Sequence, residues 1–125
     1  MIEIRQAAAD NILSISAIGQ VTDEDYKRTL IPAAEEKIRR HDRIRVLYHL
    51  GPQFERFEAR AVVDDAVFGL RNFRHMERIA IVTDVDWCRS AVRMMRFLIP
   101  CPVKIFENAR LAEAESWIAA KDVQT

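Results

Sequence analysis

Five residues carry the most adaptable chemistry in this sequence: His41, His49, His75, Cys88 and Cys101. None stands at a spacing that joins it to a partner. The histidines are too far apart for an H-E-x-x-H zinc motif, and no serine or cysteine is set with one of them as nucleophile and base. His41 reads as a cation at a helix end, and His75 as a loop residue. His49, near Gly51 and Phe54, is the most interesting of the three and reads as a hydrogen-bonded structural histidine. Cys88 falls near a predicted helix N-terminus, where the dipole would lower a thiol pKa. Lacking a supporting His or acid, it reads as a packing or surface thiol. With no secretory context, both cysteines are expected to be free thiols in a reducing compartment.

Two carboxylate pairs come next. Asp64 and Asp65 are neighbours on a predicted helix, about 100° apart around its axis, so they do not aim at one target. Asp84 and Asp86 follow a central strand, where α/β proteins place functional groups; the simpler reading is that one of them caps the helix beginning near Trp87. No Gly-x-Gly loop is present to cradle a nucleotide. No catalytic residue, metal site or cofactor is therefore expected, and the chain reads as a non-enzyme.

Two groups of side chains rise above this background. Phe54, Phe57, Phe68 and Phe73, with Trp87, Met94, Met95 and Phe97, give more large apolar surface than two helices need to cover one sheet. That surplus suits a pocket for an apolar ligand, lined by Phe54, Phe57, Phe68, Trp87, Met94 and Met95, or else an ordinary core or a dimer interface. Arg89, Arg93 and Arg96 recur at i, i+4, i+7 and fall within about 60° on one helical face. Arg71, Arg74 and Arg78 precede them. Such a row suits a phosphate, a carboxylate or an anionic lipid headgroup, or a solvated face paired with neighbouring acids.

The 125 residues suffice for one domain, here 1–125, and 19 basic residues balance 19 acidic ones. No overall field draws the chain to nucleic acid, and no nucleic-acid partner is expected. The N-terminus lacks the basic and apolar run of a signal peptide, and no stretch approaches the roughly 18 apolar residues of a spanning helix. A cytoplasmic location is expected.

The elements that must position these residues follow from periodicity. Residues 2–6 and 12–18 read as an antiparallel hairpin turning at Asp10-Asn11. Leu13, Ile15 and Ala17 alternate with Ser14 and Ser16, and Gly19 ends the strand. Thr22-Asp23-Glu24-Asp25 resembles a capping box. The helix that follows ends in Arg39, Arg40 and His41, and Pro32 should kink or split it. Residues 43–50 form a buried strand stopped by Gly51-Pro52. Ala59, Val62, Val63, Ala66, Val67 and Leu70 trace an amphipathic helix. Ile79–Val82 is a continuous apolar run, as in a central parallel strand. A helix over 86–98, a strand from Val103 to Phe106 and a helix over 111–120 complete the order β-β-α-β-α-β-α-β-α: an α/β fold with a mixed sheet, a hairpin followed by parallel strands.

That order, together with Gly19, Thr22-Asp23-Glu24-Asp25-Tyr26, Pro32, Asp64-Asp65, Phe68, Ile79-Ala80-Ile81-Val82-Thr83-Asp84, Trp87, Val103-Lys104-Ile105-Phe106, Ala112 and Trp117, resembles the SpoIIAA-like family of small bacterial proteins. The resemblance implies a STAS-type fold, which is also compared with CRAL-TRIO lipid-exchange domains. The sporulation anti-anti-sigma factor behind the family's name carries a phosphorylated serine at the start of the helix after the third strand. Tyr48 to Glu58 holds no Ser or Thr, so that switch is missing here. Ser90 and Ser116 are not positional substitutes, and a phospho-aspartate receiver fits badly.

Two functions are expected from this. One is a binding or regulatory module holding a small apolar or lipid-like ligand between the helices over 59–70 and 86–98, with Arg89, Arg93 and Arg96 near its anionic end and peripheral membrane contact. The other is an interaction domain that partners itself or another protein.

Overall fold

Leu13, Ile15 and Ala17 are buried while Ser14 and Ser16 between them are half-buried, so one face of their strand meets a core. In the computed structural model, which describes residues 1–121, this strand is β2 (Ile12–Val21). It pairs antiparallel with β1 (Ile2–Arg5) and parallel with β3 (Ile44–Phe57). Parallel pairing continues to β4 (Met76–Thr83) and β5 (Val103–Phe106), giving a five-stranded sheet in the order β1-β2-β3-β4-β5. The mixed sheet read from the sequence is thus the observed one.

Gly19 does not end β2, and Gly51-Pro52 does not end β3. Ala17 pairs with Leu50, but Gly19 pairs with Phe54, so β3 bulges over residues 51–53 and both strands run on. Pro52 falls in that bulge, where no ladder hydrogen bond is asked of its missing N–H. Gly19, at φ 62°, takes the left-handed conformation that re-aims β2 there.

Thr22 opens the first helical stretch with the expected capping box. Its hydroxyl accepts the Asp25 N–H at 3.2 Å, and Asp25 accepts the Thr22 N–H at 2.8 Å. Helix α1 (Asp23–Asp25) passes through a π-helical turn (Tyr26–Leu30) into α2 (Ile31–His41). The wide turn comes where Pro32 has no N–H for the Arg28 carbonyl: the Ile31 N–H reaches back to the Tyr26 carbonyl instead. Proline here widens the helical path rather than splitting it. Tyr26, Leu30 and Ala34 are buried along it.

Helices α3 (Ala59–Asn72) and α4 (Asp86–Met95) join α1 and α2 on one face of the sheet, and α5 (Leu111–Ala119) covers the other. The stripe expected to face inward on α3 does so only in part: Val62, Ala66 and Leu70 line open space beneath the helix, whereas Val63 is 60% exposed and none of the stripe is fully buried. The inward row is Ala61, Asp65 and Phe68, also at i, i+4, i+7. Its centre is a carboxyl group rather than an aliphatic side chain.

A buried arginine ties α5 to the sheet. Arg45 on β3 donates from Nε to Glu77 at 2.6 Å and from Nη1 to the Ile118 carbonyl at 2.9 Å and the Ala120 carbonyl. Its register partner Arg78 on β4 reaches the Trp117 and Ala120 carbonyls. The C-terminal carbonyls of α5, which have no partner within the helix, are satisfied by these guanidiniums.

Candidate functional site

Apart from Phe68, the inward face of α3 is lined by small or polar residues such as Ala61, Asp65, Ala66 and Gly69, so the sheet beneath it is not filled. A cavity of about 320 Å³ lies there. Leu13 and Ile15 from β2, Val46 and Tyr48 from β3, and Ile79 and Ile81 from β4 form its floor. Ala66, Phe68, Gly69 and Phe73 form one wall, and Val92, Met95 and Leu98 the other. Its most exposed lining residues, Leu70 and Leu98, mark the open side. A smaller cavity of about 160 Å³ shares Tyr48, Asp65, Val92 and Met95 with it and extends to Phe57, Trp87 and Cys88. The volume is at the lower end of the range for small-molecule sites.

Three polar side chains converge at the junction of the two cavities. Tyr26 donates from its hydroxyl to Asp65 Oδ1 at 2.9 Å, and the Tyr48 hydroxyl lies 3.0 Å from that of Tyr26. Because the Tyr26 proton is committed to Asp65, Tyr48 must donate to Tyr26, giving a chain Tyr48 to Tyr26 to Asp65. Both tyrosines are buried, and burial first, then the neighbouring carboxyl in the case of Tyr26, holds their hydroxyls protonated. Asp65 is exposed through the open side of the cavities, with protein atoms packed densely around it. Burial pushes its carboxyl above the usual range, and the Tyr26 hydrogen bond offsets this in part. Among the described residues no other hydrogen bond reaches Asp65, which leaves one of its oxygens free at the accessible lining of the cavities.

The residues singled out in the sequence divide between places. Phe57, Trp87 and Met95 line the smaller cavity, and Phe68 and Met95 the larger. Phe54 is buried against Phe57, with ring centroids 4.9 Å apart, and lines neither; Phe57 in turn meets Trp87 edge-on at 6.0 Å. Met94 is 77% exposed on the outer side of α4 and lines neither cavity.

Arg89, Arg93 and Arg96 do not stand at an anionic end of the apolar space. They line a separate groove of about 530 Å³ along β5. At about 100° per residue they occupy the flank of α4 next to Val92 and Met95, on the side toward the sheet edge.

Asp84 and Asp86 do not cap α4. Val85 holds the N-cap position with no side-chain bond, Thr83 Oγ1 accepts the Val85 N–H at 3.1 Å, and Asp84 accepts the Asn108 N–H at 2.9 Å. Cys88 is the buried residue of α4, and burial pushes its thiol up to about 11, so packing prevails over the helix dipole. Asp64 lies near Asp23, whose carboxyl raises the pKa of Asp64 while that of Asp23 is lowered, and one buried Asp64 oxygen has no hydrogen-bond partner among the described residues. His49 lies on the α5 side of the sheet, in a polar groove with Ser14, Ser16 and Glu115. Burial lowers its pKa, and among the described residues no hydrogen bond joins it to either serine.

Sequence reasoning noted Asp65 but not its partners. Tyr26 is 39 residues away, and the one available signal was an acid on the i, i+4, i+7 row between Ala61 and Phe68.

None of the described helices is long and apolar enough to cross a membrane. No curated protein matches the sequence. The structure is similar to that of an uncharacterised protein of the DUF3478 family with a SpoIIAA-like fold, from Shewanella loihica PV-4. The TM-score is 0.75 at 26% sequence identity, over 95% of this chain and 93% of that one. Residues 12–119 match the SpoIIAA-like family model, and with the fold in agreement the chain belongs to the SpoIIAA-like family.

Proposed function

We propose that this chain is a non-catalytic binding domain that holds a small apolar molecule beneath α3 and α4. The observation that carries the proposal is the apolar cavity itself, with the accessible Asp65 carboxyl and the two tyrosine hydroxyls on its lining. A ligand that donates a hydrogen bond to the remaining Asp65 oxygen would at the same time cover the surrounding apolar surface. The ligand class follows: an aliphatic or aromatic body with one hydroxyl or amine donor and no negative charge. An anionic headgroup would face a carboxyl and two hydroxyls, while the arginines of α4 line the neighbouring β5 groove and not this cavity.

Titration of the delipidated protein with the neutral dye N-phenyl-1-naphthylamine tests this. Fluorescence should rise to saturation, and Val92→Phe, which fills the shared wall of both cavities, should abolish the rise. Mass spectrometry of an organic extract of the purified protein should identify a bound molecule of this class. Reproducible turnover of any substrate would overturn the non-catalytic reading.

A second reading, an interaction domain, is favoured by the exposure of Met94, Phe97 and Leu98 together at the end of α4. Light scattering on a size-exclusion column tests it, and a strict monomer that captures no partner would count against it.

A further inference from the structure

β5 is an edge strand: it pairs with β4 on one side, and among the described residues its other side has no strand. A groove follows that free side over every residue from Val103 to Glu107. Arg89, Arg93 and Arg96 line it from α4, and Lys104 and Arg110 from the strand and beyond. Among the lining residues only two carboxylates, Glu107 and Glu113, face these five cations, and Glu113 is already 3.5 Å from Arg110. Arg89 donates to the Thr83 carbonyl at 2.8 Å and Lys104 lies 5.3 Å from the Trp117 ring centroid, so Arg93 and Arg96 are the cations most available to a partner. Arg93, Arg96, Lys104 and Arg110 are all exposed.

We propose that this edge receives an acidic segment of a partner protein in extended conformation, which adds to the sheet as a further strand. The free backbone groups of β5 supply the hydrogen bonds of strand addition, and the cations supply the choice of partner. The geometry fits an extended chain better than a compact anion. From Arg89 to Arg96 the helix rises about 10 Å, so the guanidiniums are strung along the groove rather than gathered at one point. An added strand places alternate side chains about 6.7 Å apart on one face. Carboxylates at every second position would therefore meet the arginines in succession.

A second copy of this chain is a poor occupant. Pairing β5 with β5 would bring both sets of five cations together, and a short edge with a central lysine resists pairing with its own kind. The groove shares only Val103 with the apolar cavity, and the proposal stands without that cavity.

The test is fluorescence anisotropy with a labelled peptide of alternating Glu and Val, set against one of alternating Lys and Val. Saturable binding of the acidic peptide is expected at low ionic strength, weakening as salt approaches about 0.15 M. The double variant Arg93→Glu/Arg96→Glu should bind at least about tenfold more weakly, with an unchanged circular dichroism spectrum because both residues are exposed. A peptide N-methylated at alternate residues, on the edge facing β5, should lose binding, and amide exchange over Val103–Phe106 should slow in the complex. The proposal is overturned if the Lys-Val peptide binds equally or the double variant binds like the parent. It also fails if N-methylation has no effect, or if phosphatidylglycerol vesicles bind while the acidic peptide does not.

Discussion

The Tyr26 hydroxyl donates to Asp65 at 2.9 Å across 39 residues of sequence, joining the π-helical turn before α2 to the middle of α3. That bond sets the chemistry of the cavity. It holds one Asp65 oxygen and leaves the other free at the accessible lining.

The raised carboxyl of Asp65 makes stability depend on pH. The folded protein holds this proton more tightly than the unfolded chain does. Its stabilisation is fully present below the ordinary carboxylate range and is lost as pH rises through the raised value. Asp65→Asn keeps an acceptor for Tyr26 without the ionisation. Urea midpoints should show the variant's value rising relative to the parent's as pH increases from about 4, and a variant that loses ground to the parent over that range would contradict the assignment.

The two tyrosines should differ. Tyr48→Phe removes the terminal donor of the chain and should cost about 1 kcal/mol. Tyr26→Phe strands both Asp65 and the Tyr48 hydroxyl and should cost about 2–3 kcal/mol. Equal losses in chemical denaturation would mean that the hydroxyls do not act in series.

Arg45→Met should destabilise by about 3–5 kcal/mol. The substitution leaves Glu77 without its 2.6 Å partner and takes a donor from the α5 carbonyls at Ile118 and Ala120. Early exchange of the α5 amides would show that this helix loosens first.

Two backbone positions should respond with opposite signs. Gly19→Ala should cost about 1 kcal/mol. The strain lies in φ +62°, since the new Cβ would meet Glu55 only at an ordinary 3.5 Å. Asp42, at φ 63° after α2, is strained already, and Asp42→Gly should raise the melting temperature. Its backbone carbonyl would still accept from His75 Nδ1.

Much of the framework was readable from short-range signals. The serine alternation of β2, the apolar run Ile79–Val82 and the Thr22 capping box each depend on neighbours within a few residues. The bulge that carries β3 past Pro52 was not readable, because it exists only in the pairing with β2. The facing of α3 was hidden for a related reason. Two i, i+4, i+7 rows compete on that helix, and the Tyr26 bond goes with the one containing Asp65, leaving Val63 outside and Leu70 at the open rim of the cavity. Arg45 gave no local sign of burial, since the Ile118 carbonyl lies 73 residues away. The aromatic surplus pointed to the region of the cavities, but only the direction of α4 shows that its arginines serve the β5 groove instead.

Competition against bound N-phenyl-1-naphthylamine with 1-decanol, decylamine and decanoate, each on the parent and on Asp65→Ala, bears most directly on how the cavity works. The alcohol and the amine should displace the dye from the parent, decanoate should not, and Asp65→Ala should erase that preference. Decanoate displacing the dye as well as decanol does, or a dye signal that survives Val92→Phe, would contradict the account.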